Sequence, residues 1–233
     1  LEGYIKLKKV RKEFILGKNI IKAVNGIDLS IKKGEMLRIA GRSGSGKSTL
    51  LNLMAGLEKV TSGEIIIAGG HIEKMNERER IRFRRENIGF IFQSYNLLPQ
   101  YTALENVALP LILRGVAPKE REKMAKEIME QVGIYSHANH KPNEMSGGQQ
   151  QRVGIARALV TNPPIVFADE PTGNLDTKTS EQVMELLEKL FKEKGTTFVL
   201  VSHDEDTRDY IEKTIYLEDG KIINSKLNKE ENH

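Results

Sequence analysis

Apolar and polar residues alternate along IKLKKVRKEF and AVNGIDLSI near the amino end of the chain, the period-two signature of strands with one face buried. With GEMLRIAG following, these segments predict an antiparallel sheet beside a larger core. A turn at TSG then leads into EIIIAG, another strand. IGFIFQ, Pro164–Ala168 and Thr197–Val201 are apolar runs that read as core strands, and a run of this kind fits a parallel sheet buried on both faces. Helical spacing marks STLLNLMAGL, VGIARALV and TKTSEQVMELLEKLFKEK, the last with Val183, Leu186, Leu187 and Leu190 on one face. Met75 to Arg85 predicts a strongly charged helix, and from about Ser94 to Val160 the pattern is helical, including the amphipathic PKEREKMAKEIMEQVGI. The expected architecture is one α/β domain: a core from 1–93 and 161–233, with a helical subdomain inserted at 94–160. The closing SKLNKEENH is polar and predicts a frayed end.

A chain of 233 residues can bury a sizeable core. The apolar share is 39%, and the apolar stretches Leu104–Leu113 and Ile165–Ala168 fall short of the roughly 20 residues that cross a bilayer. The first residues, LEGYIKLKK, carry no export signal, so a cytoplasmic location is expected. Absence of cysteine removes disulfides, Cys-ligated zinc, iron–sulfur clusters and thiol nucleophiles. The formal charge of +4 is a mild excess, that of a solubilising surface rich in Lys and Glu rather than a nucleic-acid footprint.

Between EMLRIA and STLLNLMAGL lies Gly41-Arg42-Ser43-Gly44-Ser45-Gly46-Lys47-Ser48, a match to G-x-x-x-x-G-K-[ST]. A strand, a tight glycine loop and a helix N-terminus gather backbone N–H groups around one concavity, where they can hold phosphates. Lys47 is expected to reach the β and γ phosphates, Ser48 to place its hydroxyl on Mg²⁺, and Thr49 to lie near the α phosphate.

Two acids follow the strand-like Pro164–Ala168. At the carboxyl edge of a parallel sheet, where ligands bind, Asp169 would hold Mg²⁺ and Glu170 would orient and polarise the attacking water. Asp176 reads either as part of the same region or as the residue that starts the next helix. His203, at the end of another core strand, can reach the γ phosphate or the catalytic water. A second anion-binding element is Ser146-Gly147-Gly148-Gln149 at the start of a helix: a serine N-cap and glycines that expose backbone N–H groups. Its simplest use is to close over a nucleotide held by another copy of the chain.

The ordered set GRSGSGKST, Gln93, SGGQQQR, IVFADEPTGNLD and SHD resembles the ATP-binding cassette ATPases of ABC transport systems. ADEPTGNLD and GFIFQSYNLLPQYTALENVALPL are similar, more narrowly, to the branch containing LolD, MacB and FtsE. The resemblance runs from about residue 4 to 223. It implies a RecA-like P-loop NTPase core with an N-terminal antiparallel β subdomain and an inserted α-helical subdomain. It also implies that Gly41 to Ser48 is the Walker A loop, Ile165 to Asp169 the Walker B strand and Glu170 the catalytic base. Gln93 would join Mg²⁺ and the attacking water to the helical subdomain. Ser146, Gly147, Gly148 and Gln149 would complete the partner's ATP site, Asn174, Leu175 and Asp176 would cross the dimer interface, and His203 would be the switch histidine. Phe14 stands where the family usually places an aromatic against adenine; it is that ring or ordinary packing.

The implied activity is hydrolysis of Mg-ATP by a head-to-tail homodimer that drives an integral membrane permease-like subunit, with the ATPase peripheral on the cytoplasmic membrane face and no nucleic-acid partner. Leu97, Leu98, Tyr101, Thr102, Leu104 and Val107 would receive a short helix of that subunit, or else form local core. A P-loop GTPase would need an N-K-x-D element at a strand end, which is absent. A soluble cassette ATPase acting on nucleic acid or ribosomes is the alternative of another class; such proteins commonly carry coiled-coil insertions or two cassettes, and this chain has one compact cassette. Cargo, whether lipoprotein, drug or peptide, belongs to the membrane subunit.

Overall fold

A computed structural model describes residues 3–228. Strands β1 (Ile5–Leu16) and β2 (Asn19–Ile31) form an antiparallel hairpin, and β1 also pairs with β4 (Ser62–Ile67), which pairs with the short β5 (Gly70–His71). Ile5, Leu7 and Val10 are all buried although the last step is three residues. A bulge between Leu7 and Val10, with Lys9 at φ 49°, returns Val10 to the inner face.

The second sheet has the order β10-β9-β3-β8-β7-β6. In it β3 (Met36–Ala40), β6 (Ile88–Phe92), β7 (Ile165–Asp169), β8 (Thr197–Val201) and β9 (Lys213–Glu218) run parallel, and β10 (Lys221–Leu227) closes the edge antiparallel to β9. Here β3 departs from the sequence reading, which grouped it with the antiparallel strands. All five of its residues are buried, and a strand covered on both faces belongs inside a parallel sheet. The frayed end is likewise corrected. Ser225, Lys226 and Leu227 lie in β10, held by pairing to β9 rather than by burial, and the rest of that stretch beyond Asn228 lies outside the described residues.

Helices α1 (Lys47–Met54), α2 (Glu77–Asn87), α3 (Ala103–Leu113), α4 (Pro118–Gln131), α5 (Gly147–Leu159) and α6 (Thr177–Lys194) start on recognisable signals. Asn76/Glu79, Thr102/Glu105 and Ser146/Gln149 are reciprocal capping boxes, Asp176 caps α6, and Pro118 opens α4. Among the described residues none of these helices is long and apolar enough to cross a membrane.

Alternate residues of the six-stranded sheet feed two apolar clusters. Leu37, Ile39, Phe167, Val199 and Val201 pack with α1 and the antiparallel sheet; Met36, Val166, Ala168, Phe198 and Leu200 pack with α3 to α6. On α6, Val183, Leu187 and Leu190 are buried as expected, while Leu186 is half-buried and Met184 and Phe191 fill the remaining places. The stretch expected to receive a partner helix is largely core: Val107 is fully buried, Leu97 and Leu104 pack against the same cluster, and Thr102 caps α3. Of those six residues, Leu98 and Tyr101, in the loop before α3, are exposed, while α3 itself packs on α4 and α5.

Candidate active site

The registers β6–β7 and β7–β8 bring Phe92, Asp169 and Val201 level, so Gln93, Glu170 and Ser202 leave the sheet together at its carboxyl edge. The loop from Gly41 to Gly46 leaves the same edge from β3 and feeds α1. Gly46 has φ 100°, and a Cβ there would lie 2.1 Å from the Ala23 carbonyl oxygen; Gly44 has φ 80° in open space, so it is required by backbone angle alone. Lys47 Nζ donates to the carbonyl oxygens of Gly41 and Arg42, both at 2.9 Å, which leaves one of its three N–H donors for a ligand. The positive end of α1 adds a partial charge of the same sign.

These residues wall a cleft of about 850 Å³ lined by Gly41, Arg42, Ser43, Gly44, Gly46, Lys47, Ser48 and Thr49, with Glu170 and His203 opposite. Ser45 is not part of that lining. Its hydroxyl is buried without a hydrogen-bond partner, and its carbonyl accepts from the Gly220 N–H at 3.1 Å. Phe14 also stands outside the lining, opposite Ile21 on the neighbouring strand, with Lys12 Nζ 4.9 Å from its ring centroid. Ile21, Lys22 and Ala23 form the cleft wall on that side, and Asp219 and Gly220 close it from the β9–β10 turn.

Ser48 Oγ donates to Asp169 Oδ1 at 3.1 Å, joining the start of α1 to the end of β7. Burial raises the Asp169 pKa, and the neighbouring Glu170 charge acts in the same direction, against the Ser48 hydroxyl and the Lys47 ammonium. Glu170 takes φ 45°, a conformation that is strained for a non-glycine residue, and its N–H donates to the Val201 carbonyl at 2.9 Å. Its Oε1 lies 3.0 Å from His203 Nδ1. Among the described residues Gln93 makes no hydrogen bond to Ser48 or Asp169. Its carbonyl accepts from Asn174 Nδ2 at 3.0 Å, and its amide lies against Gly173.

Ser146, Gly147, Gly148 and Gln149 form a separate surface with no residue in the cleft lining. Ser146 Oγ accepts from the Gln149 N–H at 3.4 Å, the Ser146 N–H donates to Gln149 Oε1 at 2.8 Å, and Gln149 Nε2 lies 3.0 Å from His137 Nε2. Asp176 takes the helix-start reading: its carboxylate accepts from the Thr179 hydroxyl at 2.6 Å and the Thr179 N–H at 3.0 Å, and these bonds hold its pKa below the usual carboxylate value. Leu175 packs partly buried against the helical cluster.

The sequence reading missed Gln151. It is fully buried on α5, and its Nε2 donates to the Pro171 carbonyl, next to Glu170, at 2.6 Å. The available signal was its place in an apolar stripe, four residues before Ile155 and seven before Ala158. Arg38, a charge inside the apolar run MLRIA, was missed as well.

Residues 24–173 of the 233 match the ABC transporter family. The chain belongs to that family. This ABC protein is 50% identical over 222 residues to the uncharacterized ABC transporter ATP-binding protein MJ0796 of Methanocaldococcus jannaschii, covering 94% of each chain. It is 46% identical over 218 residues to the lipoprotein-releasing system ATP-binding protein LolD of Alcanivorax borkumensis, covering 94% of this chain and 96% of that one, which bears out the narrower resemblance. A solved dimer of MJ0796 in a post-hydrolysis state, bound to ADP and Pi, superimposes with a TM-score of 0.91 at 46% identity, covering 97% of this chain and 99% of the other.

Proposed function

We propose that two copies of this ABC transporter ATPase close head to tail around two molecules of Mg-ATP and hydrolyse them to drive a membrane-embedded partner. The observation that carries the reading is the separation of two anion-binding surfaces on one chain, the Lys47 cleft and the Ser146 helix start. Each nucleotide lies between the Gly41–Thr49 loop of one copy and Ser146, Gly147, Gly148 and Gln149 of the other, with Asn174, Leu175 and Asp176 at the seam. Glu170 directs water towards the γ phosphate, while His203, whose Nδ1 lies 3.0 Å from the Glu170 carboxylate, orients that carboxylate and steadies the charge that develops. Phosphate loss removes the charge that joins the two copies.

The donor set fits Mg²⁺ brought in on the nucleotide. Ser48 Oγ and Asp169 Oδ1 converge as two hard oxygens 3.1 Å apart, and no group of three or more acids or histidines among the described residues forms a metal cage of its own. Magnesium bound through one or two protein oxygens plus phosphates matches that pattern, with the Gln93 carboxamide as a further oxygen. When bound, the ion would neutralise phosphate charge. The segment 94–160 acts as one helical subdomain joined to the core at Gln93, and the ATPase sits on the cytoplasmic membrane face through a permease-like subunit. The relatives named LolD favour lipoprotein release as the pathway.

Glu170→Gln tests the sandwich. That variant is expected to bind Mg-ATP and accumulate as a dimer in analytical ultracentrifugation, whereas a monomer at saturating Mg-ATP would overturn the head-to-tail reading.

A further inference from the structure

Arg38 stands inside β3 between Leu37 and Ile39, with none of its surface exposed. Its Nη2 donates to the Asp204 carbonyl at 2.9 Å and to Glu205 Oε1 at 3.0 Å, while Nε and Nη1 have no hydrogen-bond partner. A buried guanidinium with five donors is ordinarily satisfied around its whole edge. Here both bonds converge on the two residues that follow His203.

The same strand holds the other side of that histidine, because the Ser202 N–H donates to the Ile39 carbonyl at 3.3 Å. The segment is further knotted by the Asp204 N–H on Ser202 Oγ at 3.0 Å and the Thr207 hydroxyl on the Asp204 carbonyl at 2.7 Å. His203 lies between these anchors with its side chain 64% exposed and, among the described residues, one hydrogen bond, to Glu170. Little else fixes the ring. Glu205 responds to the same contact, since the Arg38 bond holds its carboxyl below the usual range.

We infer that Arg38 is a positioning residue for His203: it clamps the backbone at Asp204 so that the imidazole stays on the Glu170 carboxylate and over the γ-phosphate position. This rests on the role proposed for His203. β3 runs three residues on into the phosphate loop, so one strand sets both the loop that binds the nucleotide and the histidine that serves its cleavage.

A double-mutant cycle on the full chain tests the inference, reading kcat and KM for Mg-ATP together with thermal melting. Arg38→Met is expected to lower kcat about tenfold while KM moves less than about twofold, as for an interaction used in the chemical step. Arg38→Lys, which keeps the charge and a donor, recovers part of that loss. In a His203→Ala background Arg38→Met lowers the residual rate no further. If Arg38→Met does not fold, Glu205→Ala carries the same cycle from the surface, with a smaller loss of kcat that also vanishes in the His203→Ala background. An equal loss in both backgrounds, a rise in KM at constant kcat, or unchanged turnover overturns the inference. His203→Ala with full turnover instead overturns the role of His203 itself, a result distinguishable from an inactive His203→Ala beside a fully active Arg38→Met.

Discussion

Gln151→Leu separates stability from function at one buried hydrogen bond. In the wild type Gln151 Nε2 donates to the Pro171 carbonyl at 2.6 Å, while Gln151 Oε1 is buried with no partner. Leucine removes the hydrogen bond, a net loss of about 0.5–1.5 kcal/mol, and leaves the Pro171 carbonyl unsatisfied at about 1–3 kcal/mol. It also removes the orphaned Oε1, a relief of the same size as the second cost, and it adds apolar burial. The unsatisfied groups nearly cancel, so the expected loss is about 1 kcal/mol, or a drop of about 2–4 °C in Tm for a domain of this length.

Turnover responds differently. Pro171 follows Glu170 directly, and the lost bond is the tie between α5 and the segment that carries the proposed base. A displacement of Glu170 by a fraction of an ångström is expected to lower kcat about tenfold, equivalent to about 1.4 kcal/mol in the barrier. ATP affinity stays near wild type, because Lys47, Ser48 and the phosphate loop are untouched. Melting curves and steady-state ATPase measurements on the same preparation check both halves. A variant with wild-type kcat refutes the positioning argument, and a drop in Tm above about 10 °C refutes the cancellation.

Other expectations follow from the same geometry. Lys47→Ala removes the ammonium held against Gly41 and Arg42 and should abolish nucleotide binding in a titration; unchanged binding would contradict the loop assignment. Ser146→Ala loses a helix cap, costing about 1 kcal/mol, and should still bind ATP as a monomer while losing hydrolysis, so full turnover would count against a composite site. Glu205 has a folded-state pKa lowered chiefly by its bond to Arg38, so its contribution to stability is present above the unfolded value and lost as pH falls through the folded one. Between about pH 5 and pH 3 the wild type should therefore lose more thermal stability than Arg38→Met, and parallel melting curves for the two would refute the pairing.

The sequence was most legible where local chemistry sets the outcome. Glycines, a capping serine and runs ending in acids locate the phosphate loop, α5 and β7 because turn angles, caps and burial are properties of a few adjacent residues. It was least legible where the outcome depends on what lies opposite. GEMLRIAG is strand-like in either sheet, and only its neighbours β8 and β9 decide which. The polarity of SKLNKEENH reads as a frayed end, although its first three residues, exposed on the edge strand, are held by pairing with β9. Leu97, Leu104 and Val107 show an apolar face without showing that α4 and α5 already cover it. Arg38 and Gln151 are polar residues inside apolar patterns, and sequence alone does not name the carbonyls that justify them.

Those carbonyls suggest how the two anion-binding surfaces act on each other. Helix α5 begins at Ser146, and its side chains reach the core along its length: Gln151 bonds Pro171, and Arg157 donates to the carbonyls of Tyr95 at 2.7 Å and Asn96 at 2.6 Å. Tyr95 and Asn96 hold φ 60° and φ 48°, strained for non-glycine residues, just beyond Gln93; Gln93 in turn is tied to Asn174. A helix is stiff along its axis, so if Ser146 moves towards a partner's phosphate as proposed, Gln151 and Arg157 move with it. That motion then moves the backbone just after Glu170 and just after Gln93, or breaks these bonds. The coupling is reciprocal by thermodynamic necessity: whatever places Glu170 and Gln93 against nucleotide also biases where Ser146 stands. A strained turn braced by one arginine suits this use, because loss of the brace would leave nothing from α5 holding the strain in place.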